Sequence, residues 1–489
     1  MKRWIDPMQS EIALIDPAGF SQALKRRRPG RKLFPHMGLG YVAAALERNG
    51  ERVQVLDAGV ATHRELQRFL SQSVKLCGIT AVSFTFREAL IAARAVKQRH
   101  PGVPVILGGP HVSIDPVGCL DDAAVDYALQ GEGEEVLIDF LEVLKRSPNP
   151  APEVLASIPG LVYRDGRRIC VQPPAPRLQA LDELPYPAWH LFAMERYQQH
   201  PVLTSRGCPM DCAFCAVDAI WGRSWVHRDP AQVVSEIAWL VKQWGKKLIH
   251  INDDNLTMNI RHVEGFCDAL LEQRLEVDWV AQGVRADALT PELLRKMRRA
   301  GCHRVSLGIE SVAPEVLEAI GKKETVEEIA RAVRLCREAG IQVLGMFMVG
   351  NPGDREETVA ASIRFAKESG IDLPAFYMAI PYPKTRLWEH ARTEGHFLND
   401  DYLAFTHMST EPVFETPAFP AEARRRAYAQ AAKFCRRQYR RYHLTFWWPG
   451  RLLRRNRYEL ILELSLYGKV LLWPFKALWR RMAAAGERG

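Results

Sequence analysis

Nowhere in the 489-residue chain do about 18 apolar residues run together without a charge, so no segment is predicted to cross a bilayer as a helix. A secretory leader is not expected either. Met1-Lys2-Arg3-Trp4-Ile5-Asp6-Pro7 is too polar to begin one, and no apolar core follows. Ten cysteines are too few for a disulfide scaffold. Seven stand singly, at Cys77, Cys119, Cys170, Cys267, Cys302, Cys336 and Cys435, and read as buried thiols of a reducing cytoplasm. The chain also lacks an internal repeat, a low-complexity tract, and a Gly-x-Gly-x-x-Gly after its first strand, which argues against a plain dinucleotide site. With 47% hydrophobic and 25% charged residues it is not disordered or collagen-like. At about 100–200 residues per domain, the length predicts two to four domains.

The net charge of +9 invites a nucleic-acid reading until it is located. From Ala421 onward there are 17 Lys/Arg and 4 Asp/Glu, which leaves 49 basic and 53 acidic residues before it. The body is mildly acidic and the basicity belongs to a tail.

The pattern predicts an α/β chain. Residues 1–145 alternate short apolar strands with helices, and the run 76–84 is nearly continuous in apolar residues, as in a sheet covered on both faces. This predicts an N-terminal doubly wound parallel sheet whose ligands bind beyond the strand ends. Residues 146–198 carry nine prolines between Pro148 and Pro187 and read as a linker with at most a hairpin at 160–171. Residues 199–390 hold six strand–helix units, with strands at 202–205, 247–252, 277–283, 304–309, 343–349 and 375–380. They predict a full or partial (β/α)6 barrel with its site at the strand C-termini. Residues 391–489 form a basic, helical C-terminal extension.

The remaining three cysteines lie in Arg206-Gly207-Cys208-Pro209-Met210-Asp211-Cys212-Ala213-Phe214-Cys215, directly after the first barrel strand. Three thiolates so close can wrap one corner of a four-iron cubane and leave one iron open to a non-protein ligand. The alternative, a structural zinc site, needs a fourth ligand, for which His227 is the nearest candidate. The spacing, with Phe214 before the last cysteine, resembles the signature of the radical S-adenosylmethionine superfamily. That resemblance implies a 4Fe–4S cluster on Cys208, Cys212 and Cys215, with S-adenosylmethionine chelated to the open iron and cleaved by one electron to methionine and a 5′-deoxyadenosyl radical. It also implies S-adenosylmethionine-holding positions at later strand ends. Asp253, Asp254 and Asn255 would stand where the family has Gly-Gly-Glu, toward the amino group; capping of the next helix is the alternative for Asp254 or Asn255. Arg285 would pair with the carboxylate, or form a surface salt bridge. Glu310 and Ser311 would meet the ribose or methionine, and the segment 345–354 would pack beside adenine.

In the first region, Met37-Gly38-Leu39-Gly40-Tyr41, Val55-Leu56-Asp57-Ala58, Ser83-Phe84-Thr85 and Gly108-Gly109-Pro110-His111 resemble pieces of the Rossmann-like cobalamin-binding domain of cobalamin-dependent radical S-adenosylmethionine enzymes. This implies that Ser83 and Thr85 face the cofactor's nucleotide tail, that Gly108 and Gly109 let the backbone approach it, and that Glu132 lies on the next loop. The Asp-x-His-x-x-Gly motif that supplies a histidine to cobalt in many cobalamin proteins is absent, as in many members of this subclass. His36 and His111 are therefore read as loop-stabilising.

The leading expectation is methylation of an unactivated carbon of a small-molecule substrate, with methyl carried by cobalamin and replenished from a second S-adenosylmethionine. The alternative is a radical cyclase or ring rearrangement resembling the anaerobic magnesium-protoporphyrin monomethyl ester cyclase. A methylthio-transferring, RNA-modifying relative would bring three more clustered N-terminal cysteines, whereas Cys77, Cys119 and Cys170 lie far apart; a cobalamin sensor would not need the cluster motif. Tyr377, Tyr382 and His407 are guesses for polar groups near the pocket, and core packing suits Tyr377 better. The family implies an external electron donor such as flavodoxin or ferredoxin. The tail, with Arg424-Arg425-Arg426, Arg436-Arg437, Arg440-Arg441, Trp447-Trp448, Arg451, Arg454, Arg455 and Arg457 before a Leu- and Trp-rich stretch at 460–479, reads either as a helix packed on the barrel or as an amphipathic helix at a membrane surface. Polyanion binding is the weakest of the three. The enzyme is thus expected in the cytoplasm, with peripheral contact at the inner membrane face as one reading, and a membrane-facing tail would favour a lipid, isoprenoid or tetrapyrrole substrate.

Overall fold

The computed structural model describes residues 11–26, 32–245, 247–399, 401–406 and 409–446. Its first sheet comprises β1 (Ile12–Asp16), β2 (Val53–Asp57), β3 (Leu76–Thr80), β4 (Val105–Gly108), β5 (Tyr127–Leu129), β6 (Leu161–Asp165) and β7 (Arg168–Val171), in the order β2-β1-β3-β4-β5-β6-β7. β1 through β5 are parallel, joined by helices that include Met37–Arg48, Phe86–Arg99 and Gly133–Arg146. Every residue of β1 and β3 is buried, as their apolar runs require in a doubly wound sheet, and Asp16, which ends β1, is paired with Lys32 at 2.7 Å.

The hairpin in the proline-rich stretch forms as β6 and β7, but it does not stand apart. β6 pairs antiparallel with β5 and extends the sheet. The stretch that follows is also more than a connector. Trp189 and Met194 are almost fully buried, and a Cβ on Gly40 would stand 2.8 Å from both Pro187 and Trp189. A side chain there would push the stretch off the helix.

The second sheet is built from β8 (Gln199–Val202), β11 (Leu248–Ile251), β12 (Trp279–Val284), β13 (Cys302–Glu310), β14 (Gln342–Val349) and β15 (Leu373–Met378), all parallel, in the order β15-β14-β13-β12-β11-β8. This is the expected six-stranded partial barrel, with its first strand lying upstream of the expected 202–205. The chain turns at Thr204 because the buried Asp253 carboxylate accepts from the Thr204 amide (2.8 Å), the Thr204 hydroxyl (2.5 Å) and the Ser205 hydroxyl (2.7 Å). β9 (Ser205–Arg206) then pairs antiparallel with β10 (Val226–His227) outside the barrel.

A final helix spans Ala421–Phe446. Its residues up to Cys435 belong to the same compact unit as both sheets. One face, Ala423, Arg424, Ala427, Ala431 and Cys435, is buried, so this part of the tail packs on the body. Arg424 is not the surface charge its run of arginines implies. It is 2% exposed, donates to the Gly350 and Phe419 carbonyls, and lies over the Phe414 ring. His407 and the motifs from Trp447 onward lie outside the described residues. Among the described residues no helix is long and apolar enough to cross a membrane.

Candidate active site

The cysteine loop leaves β9 at Gly207, whose φ is +88°. A Cβ there would run into the Ser224 carbonyl oxygen. The Gly207 amide donates to Asp254 Oδ2 (2.8 Å) and Asn255 Nδ2 donates to Cys208 Sγ (3.4 Å), so the end of β11 holds the start of the loop. Farther along, the Ala213 amide donates to the Ile320 carbonyl and the Ala213 carbonyl accepts from Leu387, each at 2.8 Å. Cys208, Cys212 and Cys215 are half-buried and form no disulfide. Burial pushes the Cys215 thiol up to about 12 and raises Cys212, which the charges of Lys322 and Arg285 partly hold back. Loading iron must therefore release protons.

Among the described residues no three His, Cys, Asp or Glu side chains are grouped to hold one metal ion, so the zinc alternative finds no geometry here. His227 instead packs against the rings of Trp225 and His262, each 4.9 Å away. A cubane gives each thiolate its own iron, and the donor set of three unpaired thiols on one loop fits that group.

The strand-end residues divide into two kinds. Asp254 lines a cavity and steadies the loop. Asp253 spends its carboxylate on Thr204 and Ser205, is buried and does not line the cavity, so it acts as a brace. Burial raises it to about 6. The helix Ile260–Glu272 is capped by Asn259, so neither Asp254 nor Asn255 serves as that cap. Arg285 is forked onto Asp287 (2.8 and 3.0 Å), with the Lys323 carbonyl at 3.0 Å; the salt-bridge alternative is realised. Ser311 accepts from the Ala313 amide (3.2 Å) and is buried, which makes it a turn residue. Glu310 ends β13 at φ +64°, a conformation that non-glycine residues rarely hold and that functional sites often retain. Its carboxylate is 4.0 Å from Lys322 Nζ, and Lys322 reaches Glu324 at 3.1 Å. Sequence reasoning missed Lys322 and Glu324. In Gly321-Lys322-Lys323-Glu324 they look like solvated charges after a helix, and only their burial sets them apart.

A cavity of about 310 Å³ opens beyond the carboxyl ends of β3 and β4, beside the β1–β3 junction where the strand order reverses, as expected for a ligand of a doubly wound sheet. One wall is Thr80, Gly108, Gly109, Gly131 and Glu132; the opposite wall brings Arg206, Trp221, Asn252 and Asp254 from the barrel side. A Cβ on Gly108 would meet nothing within 4 Å, and Gly109 sits at φ +94° with no room for one against Thr80 and Ala81. The strand ends thus leave a smooth backbone cradle, which fits close approach by a large planar cofactor.

Ser83 and Thr85 do not line this cavity. β3 ends at Thr80, and 83–85 is a short turn in which Ser83 bonds His111 (3.2 Å) and Thr85 bonds the Val82 backbone (3.1 Å). The strand-end hydroxyl that does face the cavity is Thr80. His111 is 1% exposed beneath the loop, where burial lowers it to about 4. His36 lines the cavity while Nδ1 accepts from Leu39 (3.2 Å) to cap its helix. Tyr377 and Tyr382 are not among the lining residues.

The chain matches the model of the radical SAM superfamily over residues 202–366 and that of the B12 binding domain over residues 31–141. An uncharacterized methyltransferase of Pyrococcus horikoshii is 31% identical over 420 residues, covering 84% of this chain and 88% of that protein. The anaerobic magnesium-protoporphyrin IX monomethyl ester cyclase of Cereibacter sphaeroides is 30% identical over 74% of this chain and 61% of its own length. In fold, the chain is similar to the radical S-adenosylmethionine methyltransferase TsrM of Kitasatospora setae, solved with cobalamin and a 4Fe–4S cluster, at a TM-score of 0.69 and 20% identity, over 87% of this chain and 91% of that one.

Proposed function

The chain belongs to the cobalamin-dependent radical S-adenosylmethionine family, and on that premise we propose that it methylates an unactivated carbon of a small-molecule substrate. The observation that carries this is the shared cavity, where the glycine cradle of the first sheet faces Arg206 and Asp254, the neighbours of the cysteine loop. A cofactor on the cradle and one on the cysteine loop would face each other across the wall that Arg206 and Asp254 form. When bound, the cluster with S-adenosylmethionine supplies a radical that abstracts hydrogen, and cobalamin supplies the methyl group.

In this reading Cys208, Cys212 and Cys215 hold three irons, while Asn255 and Asp254 orient the loop. Glu310, Lys322 and Arg285, one carboxylate and two cations whose charges reach Cys212, would lie near the S-adenosylmethionine bound at the open iron. Thr80, Gly108 and Gly109 admit cobalamin, and Trp221 helps keep water out. Residues 1–145 form the cobalamin portion, joined at its edge by the hairpin of 146–198, and 199–390 the radical portion. In 391–489 the start of the last helix belongs to the body. Electrons would come from a flavodoxin- or ferredoxin-like donor, and a membrane-surface role would fall to the residues beyond the packed turns.

The test needs no known acceptor. The reconstituted chain, given S-adenosylmethionine, cobalamin and a reductant anaerobically, should form methylcobalamin with equimolar S-adenosylhomocysteine, and separately 5′-deoxyadenosine. With a methyl acceptor, the two products should appear in equal amounts. Cobalamin binding and 5′-deoxyadenosine without any S-adenosylhomocysteine would overturn methylation in favour of cyclisation, the second reading, which the likeness to the Cereibacter sphaeroides cyclase supports.

A further inference from the structure

Arg206 lies two residues before the first cluster cysteine, yet its side chain leaves the barrel. Nη1 donates to Glu132 Oε1 (2.9 Å), Nη2 donates to Glu134 Oε1 (2.8 Å), and the guanidinium lies 4.9 Å above the Tyr41 ring. Both carboxylates come from the loop and helix start after β5, the segment that walls the cavity with Gly131 and Gly133. The other oxygen of Glu132 accepts from Arg177 Nε (3.0 Å) and the Leu178 amide (2.8 Å). Arg177 in turn donates to the Trp221 carbonyl and Ser224 hydroxyl, both at 2.9 Å. Ser224 is the residue that crowds Gly207. Arg206, Glu132 and Glu134 are all at most 9% exposed, and with Arg177 the clasp holds two charges of each sign, balanced only while it is closed. Breaking one arm strands a buried charge.

Resting on the function proposed above, we propose that Arg206 is a positioning residue that couples the two cofactor sites, so that assembly of the cluster tightens cobalamin binding and cobalamin in turn retains iron. Iron pins Cys208 and hence, through Gly207, the backbone of Arg206. The guanidinium is a planar fork with fixed arms, so a pinned backbone fixes Glu132 and Glu134, and with them one wall of the cobalamin cavity. Lysine keeps the charge but presents a single point, which cannot hold two carboxylates in one register. Linkage requires the effect to be equal in both directions.

Hydroxocobalamin, titrated anaerobically into the full-length chain with and without reconstituted iron, measures the coupling; iron and sulfide contents and circular dichroism check loading and fold. The iron-loaded wild type should bind about 10-fold tighter than the iron-free chain, within the usual range of coupling between sites. Bound hydroxocobalamin should slow iron loss to a chelator. In Arg206→Lys and in Glu134→Gln, each still folded and iron-loaded, the ratio should fall toward one. A wild-type ratio of one, or an undiminished ratio in the folded variants, overturns the coupling while leaving the proposed function standing. Failure of the wild type to take up either iron or hydroxocobalamin would overturn both.

Discussion

Replacing Gly207 by alanine perturbs the cysteine loop without touching a thiol. Two costs follow from the structure. The residue sits at φ +88°, and holding a non-glycine residue there costs about 1–2 kcal/mol. The new methyl would also overlap the Ser224 carbonyl, a backbone atom that no rotamer change can move, and overpacking of this kind costs about 1–3 kcal/mol. Together these give roughly 2–5 kcal/mol, or a Tm lower by a few °C in a unit of this size. Gly222 is the internal control. It too has positive φ, +63°, but a Cβ there meets nothing within 4 Å, so Gly222→Ala should show only the conformational cost. Gly207 adjoins Cys208, so a backbone displaced from the Ser224 carbonyl displaces the first thiol, and iron per chain after anaerobic reconstitution should fall below half of wild type, while Gly222→Ala loads normally. Equal iron loading in the two variants would refute the reasoning, since Gly222, at ψ −179°, carries a conformational cost of its own but no overlap with a neighbouring backbone.

Gly108→Leu should fold and load iron normally, because its Cβ starts in open space, yet bind hydroxocobalamin at least about 10-fold more weakly as the side chain fills the cavity; equilibrium dialysis checks this. Cys212→Ala should lose the cluster's visible absorbance and the formation of 5′-deoxyadenosine, measured by liquid chromatography. Asp253 is raised by burial from 3.8 to about 6, so the folded state holds its proton more tightly than the unfolded chain. Its contribution to stability is therefore highest below about pH 4, falls as pH rises to about 6, and is flat beyond, by up to about 3 kcal/mol. Denaturant unfolding of wild type and Asp253→Asn across pH 4–7 should show their difference changing within that window and with that sign.

How much of this was legible in the sequence depended on the range of the interaction. Alternating strands and helices, the hairpin among the prolines and the three-cysteine loop are local patterns, and they form in the expected order with some strand ends shifted, as at β3 and β8. Ser83 and Thr85 were misplaced because a hydroxyl near a strand end looks the same whether the strand stops at Thr80 or runs on to Phe84. Asp253 and Asp254 are adjacent in sequence and opposite in role, since one turns inward to Thr204 and the other to the cavity. Arg424 sits in a run of three arginines, and only packing shows which of them is buried.

By itself the sequence determined the layers, the cluster loop and the family, because each rests on residues close together in the chain whose spacing has few physical solutions. Tertiary structure alone decided which polar groups remain free for a cofactor. Arg206 meets Glu132 and Glu134, 74 and 72 residues earlier, and Lys322 meets Glu310. A buried charge is stable only with its partner, and no local spacing records a partner that the fold brings from elsewhere.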